Sequence, residues 1–280
     1  MMADRIAQNA QLSMLLELSS SPKPGNIDRC HDFGDMSFQQ FVISAVSAYP
    51  VFRRAVLGEV GIGELILEAV KAWRDWGLSG NTHFGSLTLL IPLAMAAGKP
   101  GALEIEIKSV LESTTVADAI DFYRAFDLAG ARVVDVGKFS LKDKTALDIL
   151  KAQGKTLLDL MKLSKDHDLV AREWSTAFQR SFYLSKVLGK NVSRYGLNCG
   201  VVRTFLLALS EVPDSLIQAK FGKMVALQVS ARAALALKDE GLSAASYLDR
   251  ELLSEDINPG STADLIAASL FIALTKNLRF

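Results

Sequence analysis

The residues best equipped for chemistry sit in one stretch near the start of the chain, Pro22-Lys23-Pro24-Gly25-Asn26-Ile27-Asp28-Arg29-Cys30-His31-Asp32-Phe33-Gly34-Asp35-Met36. It sets Lys23 and Arg29 beside Asp28, Asp32 and Asp35. Carboxylates hold Mg²⁺ through hard oxygen atoms, and lysine and arginine hold phosphate oxygens. That mixture suits a nucleotide carrying its metal. The competing reading is a solvated loop with local ion pairs. A polar loop from Ser20 to Asp35 in an apolar chain is more often functional than idle.

Three further polar segments interrupt apolar runs. Gly80-Asn81-Thr82-His83-Phe84-Gly85 precedes Leu87 to Ala97. Free amides at a helix start favour an anion, although Asn81 or Thr82 would serve equally as an ordinary cap and His83 as a structural histidine. Asn258-Pro259-Gly260-Ser261-Thr262-Ala263-Asp264-Leu265 could cradle a phosphate on its free amides. Ser261 and Asp264 would also make a complete capping box. Asp168-Leu169-Val170-Ala171-Arg172-Glu173 sets two charges near a helix start, for which surface pairing is the simpler account.

The elements that must position these segments read as helices. Arg5 to Ser19 carries Ile6, Leu12, Leu15, Leu16 and Leu18, a set compatible with one buried face, and Pro22 and Pro24 end it. Ser37 with Gln40 and Thr115 with Asp118 spell capping boxes, the second helix closing at Gly130. Gly61 to Trp76, Val201 to Ser210 and Leu265 to Leu274 are further helices. Asp168 to Leu188 reads as one long helix, and Phe221 to Leu237 as a further one. The best strand signal is Ala131 to Val136, and Gly137 to Thr145 is the most linker-like stretch. Helices of similar character lie on both sides of it. The expectation is an all-α single domain over residues 1–280, with roughly ten helices and a long polar active-site loop near the N-terminus.

Composition excludes several classes. Lys plus Arg number 31 and Asp plus Glu number 31, so no basic excess points to nucleic acid. Mean hydropathy is +0.22, which raises the question of a membrane. The longest run free of charged side chains, Trp76 to Gly98, is broken by Asn81, His83 and Pro92 and leaves too short an apolar core to span a bilayer. Cys30 and Cys199 make no disulfide framework, and His31, His83 and His167 show no zinc spacing. No secretory signal pattern opens the sequence, so the expected compartment is the cytoplasm. Phosphate-loop, dinucleotide and nucleophile-elbow motifs are missing from the sequence.

Taken together and in order, the segments resemble the triphosphoribosyl-dephospho-CoA synthase family. The resemblance rests on Leu15-Leu16-Glu17-Leu18-Ser19, Pro22-Lys23-Pro24-Gly25-Asn26-Ile27-Asp28-Arg29 and Asp35-Met36-Ser37-Phe38. It continues through Asn81-Thr82-His83-Phe84-Gly85, Asp168 to Glu173 and Asn258 to Leu265. It implies an all-α enzyme that moves the triphosphoribosyl group of ATP onto 3′-dephospho-CoA and releases adenine, with Mg²⁺ on the triphosphate. The product would serve an acyl carrier protein pathway downstream. Carried onto this chain, it implies Asp28 and His83 as catalytic groups. Lys23, Arg29, Asn81, Thr82 and Ser261 would hold phosphate or ribose, and Asp32, Asp35 and Asp264 the metal. Bacterial members commonly carry Lys where this chain has Phe84, and the stretch between Arg29 and Asp35 is shorter here. Two alternatives are a related ribosyl-transfer enzyme with another acceptor and a non-catalytic nucleotide-binding helical protein. Neither a nucleic-acid nor a membrane partner is expected. Oligomeric state is left open, a dimer being compatible with the apolar helix faces.

Overall fold

The protein was analysed as a computed structural model that describes residues 2–34, 36–78, 80–130 and 146–280, the side chains of 146–149 excepted. The expected strand at Ala131 to Val136 and the linker Gly137 to Thr145 lie outside the described residues, as does Asp35. The described residues are all-α and form sixteen helices, more than the roughly ten expected. Their only β-features are two isolated bridges, Asp28 with His31 and Phe33 with Met36. No helix among them is long and apolar enough to cross a membrane.

In chain order the helices are α1 (Met2–Ser19), α2 (Phe38–Ser47), α3 (Tyr49–Leu57) and α4 (Ile62–Arg74). Next come α5 (Phe84–Ala97), α6 (Leu103–Glu112), α7 (Val116–Ala129) and α8 (Ala146–Gln153). After these are α9 (Leu157–Ser164), α10 (Leu169–Ser175), α11 (Gln179–Tyr195) and α12 (Leu197–Glu211). The last four are α13 (Ser215–Phe221), α14 (Lys223–Ala236), α15 (Ser243–Ser254) and α16 (Gly260–Thr275).

The chain divides into two compact units. The first comprises residues 1–12 and 42–179, the second 13–41 and 180–280. Each unit has one helix that is apolar all round, the signature of a helix enclosed by others. In the first unit this is α5, where Leu87, Leu89, Leu90, Ile91 and Leu93 are all shut off from solvent. Helices α3, α4, α6 and α10 pack against α5, and α7 packs against α4. In the second unit it is α16, with Ile266, Leu270, Phe271 and Ile272 shut off in the same way. Helices α12 and α13 pack against α16, and α14 packs against α12, α13 and α15.

One long helix expected from the sequence is broken. The run Asp168 to Leu188 splits because Ala177 and Phe178 take positive φ, 51° and 63°. The Phe178 amide reaches back to the Glu173 carbonyl at 2.7 Å, which closes α10 in a Schellman-type turn built without glycine. Left-handed backbone at such residues costs about 1–2 kcal/mol each. Phe178 is completely buried, which offsets part of that cost. The helix expected over Phe221 to Leu237 is present as α14, and Gly222, at a φ of 87°, ends α13 and opens it. Thr115 and Asp118 do form the expected capping box, and Gly130 closes α7 in the left-handed region.

Candidate active site

The loop after α1 carries Lys23, Asp28, Arg29 and Asp32 of the expected site residues. Pro22 and Pro24 cannot continue the helix, and the chain leaves α1 at Ser19. The loop itself is polar yet enclosed: Ser20, Lys23, Asn26 and Asp28 are all buried. A buried polar group must find partners or cost a kilocalorie or more. Here each one does.

Lys23 has no exposed surface. Its ammonium donates to the Glu17 carboxylate, and to Asn26 Oδ1 at 2.9 Å. Burial raises the Glu17 carboxyl above its ordinary range, and the neighbouring Lys23 charge pulls it back. Asp28 is equally enclosed. Its Oδ2 accepts from the Lys23 amide at 3.2 Å and its Oδ1 from the Cys30 amide at 2.7 Å. Asp28 and His31 also exchange backbone hydrogen bonds at 3.3 and 3.4 Å, so residues 28–31 form a tight turn. Arg29 and Cys30 stand exposed at its tip. Arg29 Nη1 donates to Asn198 Oδ1 at 2.8 Å and to the Ser19 carbonyl. Guanidinium has five N–H donors, so these two bonds aim the fork without using it up.

The loop is pinned to the rest of the second unit from several sides. The Gly25 amide donates to Asp249 Oδ1 at 2.9 Å, and His31 Nε2 lies 3.0 Å from Asp249 Oδ2. That carboxylate, with burial opposing, raises the imidazole above its ordinary value. Asn26 Nδ2 donates to Asn258 Oδ1 at 2.8 Å, and Ser21 and Asn198 share two hydrogen bonds at 2.9 and 2.7 Å. The loop block and the Asn258 to Leu265 block, far apart in sequence, are therefore neighbours. Asn198 and Asp249 did not stand out in the sequence, while Glu17 and Asn258 lay within quoted blocks but were given no role of their own.

The third block departs from its expected local structure. Pro259, not Ser261, is the N-cap of α16, and no side chain makes the cap bond. Ser261 lies inside the first turn, its Oγ accepting from Ser215 Oγ at 2.8 Å. The amide bond expected of a cap comes from Asp214 instead. Its Oδ2 accepts from the Thr262 amide at 2.7 Å and hydroxyl at 2.8 Å, while its Oδ1 caps α13 through Leu216 and Ile217. Burial pushes the Asp214 carboxyl up to about 6, against these donors.

Asn81, Thr82 and His83 belong to the first unit. Asn81 Oδ1 accepts from the Phe84 amide at 3.1 Å and so closes the start of α5. His83 is buried, with Nδ1 3.0 Å from Ser44 Oγ. Thr82 is buried beside it in sequence. Phe84, at the position where a cation is common in bacterial members, is an interior residue. Its ring lies 5.4 Å from that of Phe122 and 5.8 Å from that of Phe126. Asp168 caps α10 through the Ala171 amide at 3.0 Å, and Glu173 is buried.

The family model for ATP:dephospho-CoA triphosphoribosyl transferase matches residues 3–279. The chain belongs to this family. It is a family of transferases, and the match takes in both units. A protein of Streptococcus equi subsp. zooepidemicus assigned as a 2-(5''-triphosphoribosyl)-3'-dephosphocoenzyme-A synthase is 24% identical over 98% of this chain and 97% of its own length. Its counterpart from Streptococcus equi subsp. equi is 25% identical over the same shares. A crystal structure assigned to triphosphoribosyl-dephospho-CoA synthase, from Archaeoglobus fulgidus, superposes with a TM-score of 0.72 at 29% identity, covering 84% of this chain and 99% of that one.

Of the residues expected to hold metal, Asp32 and Asp264 lie among the described residues and Asp35 does not. Among the described residues no group of three or more His, Cys, Asp or Glu could hold one. Asp32 is exposed and its Oδ1 accepts from the Phe38 amide at 2.7 Å, a helix-capping use. Asp264 is half-buried on α16.

Proposed function

We propose that this chain transfers the triphosphoribosyl group of ATP onto 3′-dephospho-CoA. The bond from the acceptor 2′-oxygen to C1′ of the ATP ribose forms, and the C1′–N9 bond breaks. The electron pair stays on adenine, which leaves protonated, and the proton lost by the hydroxyl balances the charge. Positive charge develops at C1′ on the way, so negative groups near the ribose and cations on the triphosphate lower the barrier. The observation that carries the reading is the Pro22 to Arg29 block, its Lys23, Asn26 and Asp28 buried and hydrogen-bonded and its Arg29 exposed, in a chain matched to the family from residue 3 to 279.

The proposed roles track burial. Arg29 is the exposed cation of the loop and is assigned to the triphosphate. Lys23 and Asp28 are enclosed, so they shape the turn that carries Arg29 rather than meet substrate themselves. His83 and Asn81 hold the start of α5, and Thr82 and Ser261, buried as well, are by the same reasoning assigned to holding their segments rather than to phosphate or ribose oxygens. Mg²⁺ is assigned to the nucleotide, arriving on the triphosphate, whose oxygens are hard ligands for it. The chain is read as one functional domain over residues 1–280, working in the cytoplasm and feeding an acyl carrier protein pathway.

The test is acceptor dependence. Protein is incubated with ATP and Mg²⁺, with and without 3′-dephospho-CoA, and free adenine is measured. Adenine that appears only with the acceptor supports transfer. Adenine formed equally without it points to another acceptor or to water. ATP binding with no adenine contradicts an enzyme of this kind.

A further inference from the structure

Asp249, on α15, is nearly buried and touches the active-site loop at two separated points. One carboxylate oxygen takes the Gly25 amide at 2.9 Å, and the other lies 3.0 Å from His31 Nε2. The segment between those two points contains Asp28 and Arg29. The Gly25 backbone, at a φ of 71°, is pressed so closely on the chain beyond α15 that an added Cβ would lie 2.3 Å from the Ile257 carbonyl oxygen. The segment from Gly25 to His31 is thus held at both ends by one carboxylate, with the exposed guanidinium between them.

We propose that Asp249 is a positioning residue for the transfer reaction, fixing the Asp28–His31 turn so that Arg29 meets the triphosphate in one orientation. The proposal rests on the transferase reading above. A carboxylate suits this task because it accepts two hydrogen bonds in divergent directions without needing a proton of its own. A displaced turn moves the guanidinium by an ångström or more, and misplacement of that size costs up to about 100-fold.

The test is a double-mutant cycle. Asp249→Ala raises the KM for ATP roughly 10- to 100-fold, as Arg29→Ala does. Arg29→Ala with Asp249→Ala is no worse than the poorer single variant, because the clamp acts only through Arg29. Asp249→Asn recovers most of the loss relative to Asp249→Ala, since its Oδ1 still accepts from Gly25 and its Nδ2 can donate to neutral His31. Partial unfolding would lower kcat and leave KM unmoved, so a fall in kcat alone overturns the proposal. Effects that multiply in the double variant overturn it as well. A wild-type protein that neither binds ATP nor releases adenine fails the functional reading first, and this outcome shows without any variant.

Discussion

Lys23 donates its ammonium to Glu17 with both side chains closed off from solvent. The pair ties the end of α1 to the loop beyond it. Removing one partner leaves a buried charge uncompensated, which costs about 3–5 kcal/mol. Lys23→Ala and Glu17→Ala should each lose roughly that much in urea unfolding. Glu17→Leu with Lys23→Met should lose less than either, because no lone charge is left inside. A Lys23→Ala protein of unchanged stability but weakened ATP binding would return Lys23 to the phosphate.

Gly25 supports a stability prediction of its own. Gly25→Ala must adopt a positive φ and place a methyl against the Ile257 carbonyl and Leu252. We expect a loss of more than about 1 kcal/mol from the backbone alone. A midpoint of thermal unfolding equal to wild type would show that the loop does not press on this part of the chain.

Asp214 sets a pH dependence. Its carboxyl rises from 3.8 in the unfolded chain to about 6 in the folded one, through burial. The folded state therefore keeps this proton to higher pH. The stabilisation is full below about pH 4 and is lost as pH rises to about 6, by an amount on the order of 3 kcal/mol. Asp214→Asn should flatten that part of the stability profile in denaturant titrations from pH 4 to 7. An unchanged slope in the variant would place the titration elsewhere.

Phe84 tests the interior at the start of α5. Phe84→Lys would put an ammonium among Phe122 and Phe126 in a site that is 6% exposed. The expected loss is about 3–5 kcal/mol, from lost packing and a buried charge. Retained stability together with tighter ATP binding would show that this position faces the nucleotide.

Much of the helical fold was legible because apolar periodicity and capping residues report helices directly, as at Thr115 and Asp118. The break between α10 and α11 was not. Ala177 and Phe178 carry no turn signal, and their left-handed backbone is held by the burial of Phe178. Ser261 spells a cap, yet Asp214, from another helix start, supplies the amide partner at Thr262. The loop announced its polar chemistry but not its burial, which depends on Asn198, Asp249 and Asn258 far along the chain. Such long-range partners leave no local pattern. Hence Lys23 and Asp28 could be picked out in the sequence, while their enclosure could not.

The central claim is that the transferred group is the ribose of ATP with its three phosphates. The direct measurement is the mass and linkage of the nucleotide product formed from ATP, Mg²⁺ and 3′-dephospho-CoA, with adenine quantified in the same sample. The account predicts a single adduct of 3′-dephospho-CoA carrying an intact triphosphoribosyl group, in equal amount to the adenine released. A phosphorylated acceptor with ADP, or adenine with no adduct, would contradict it.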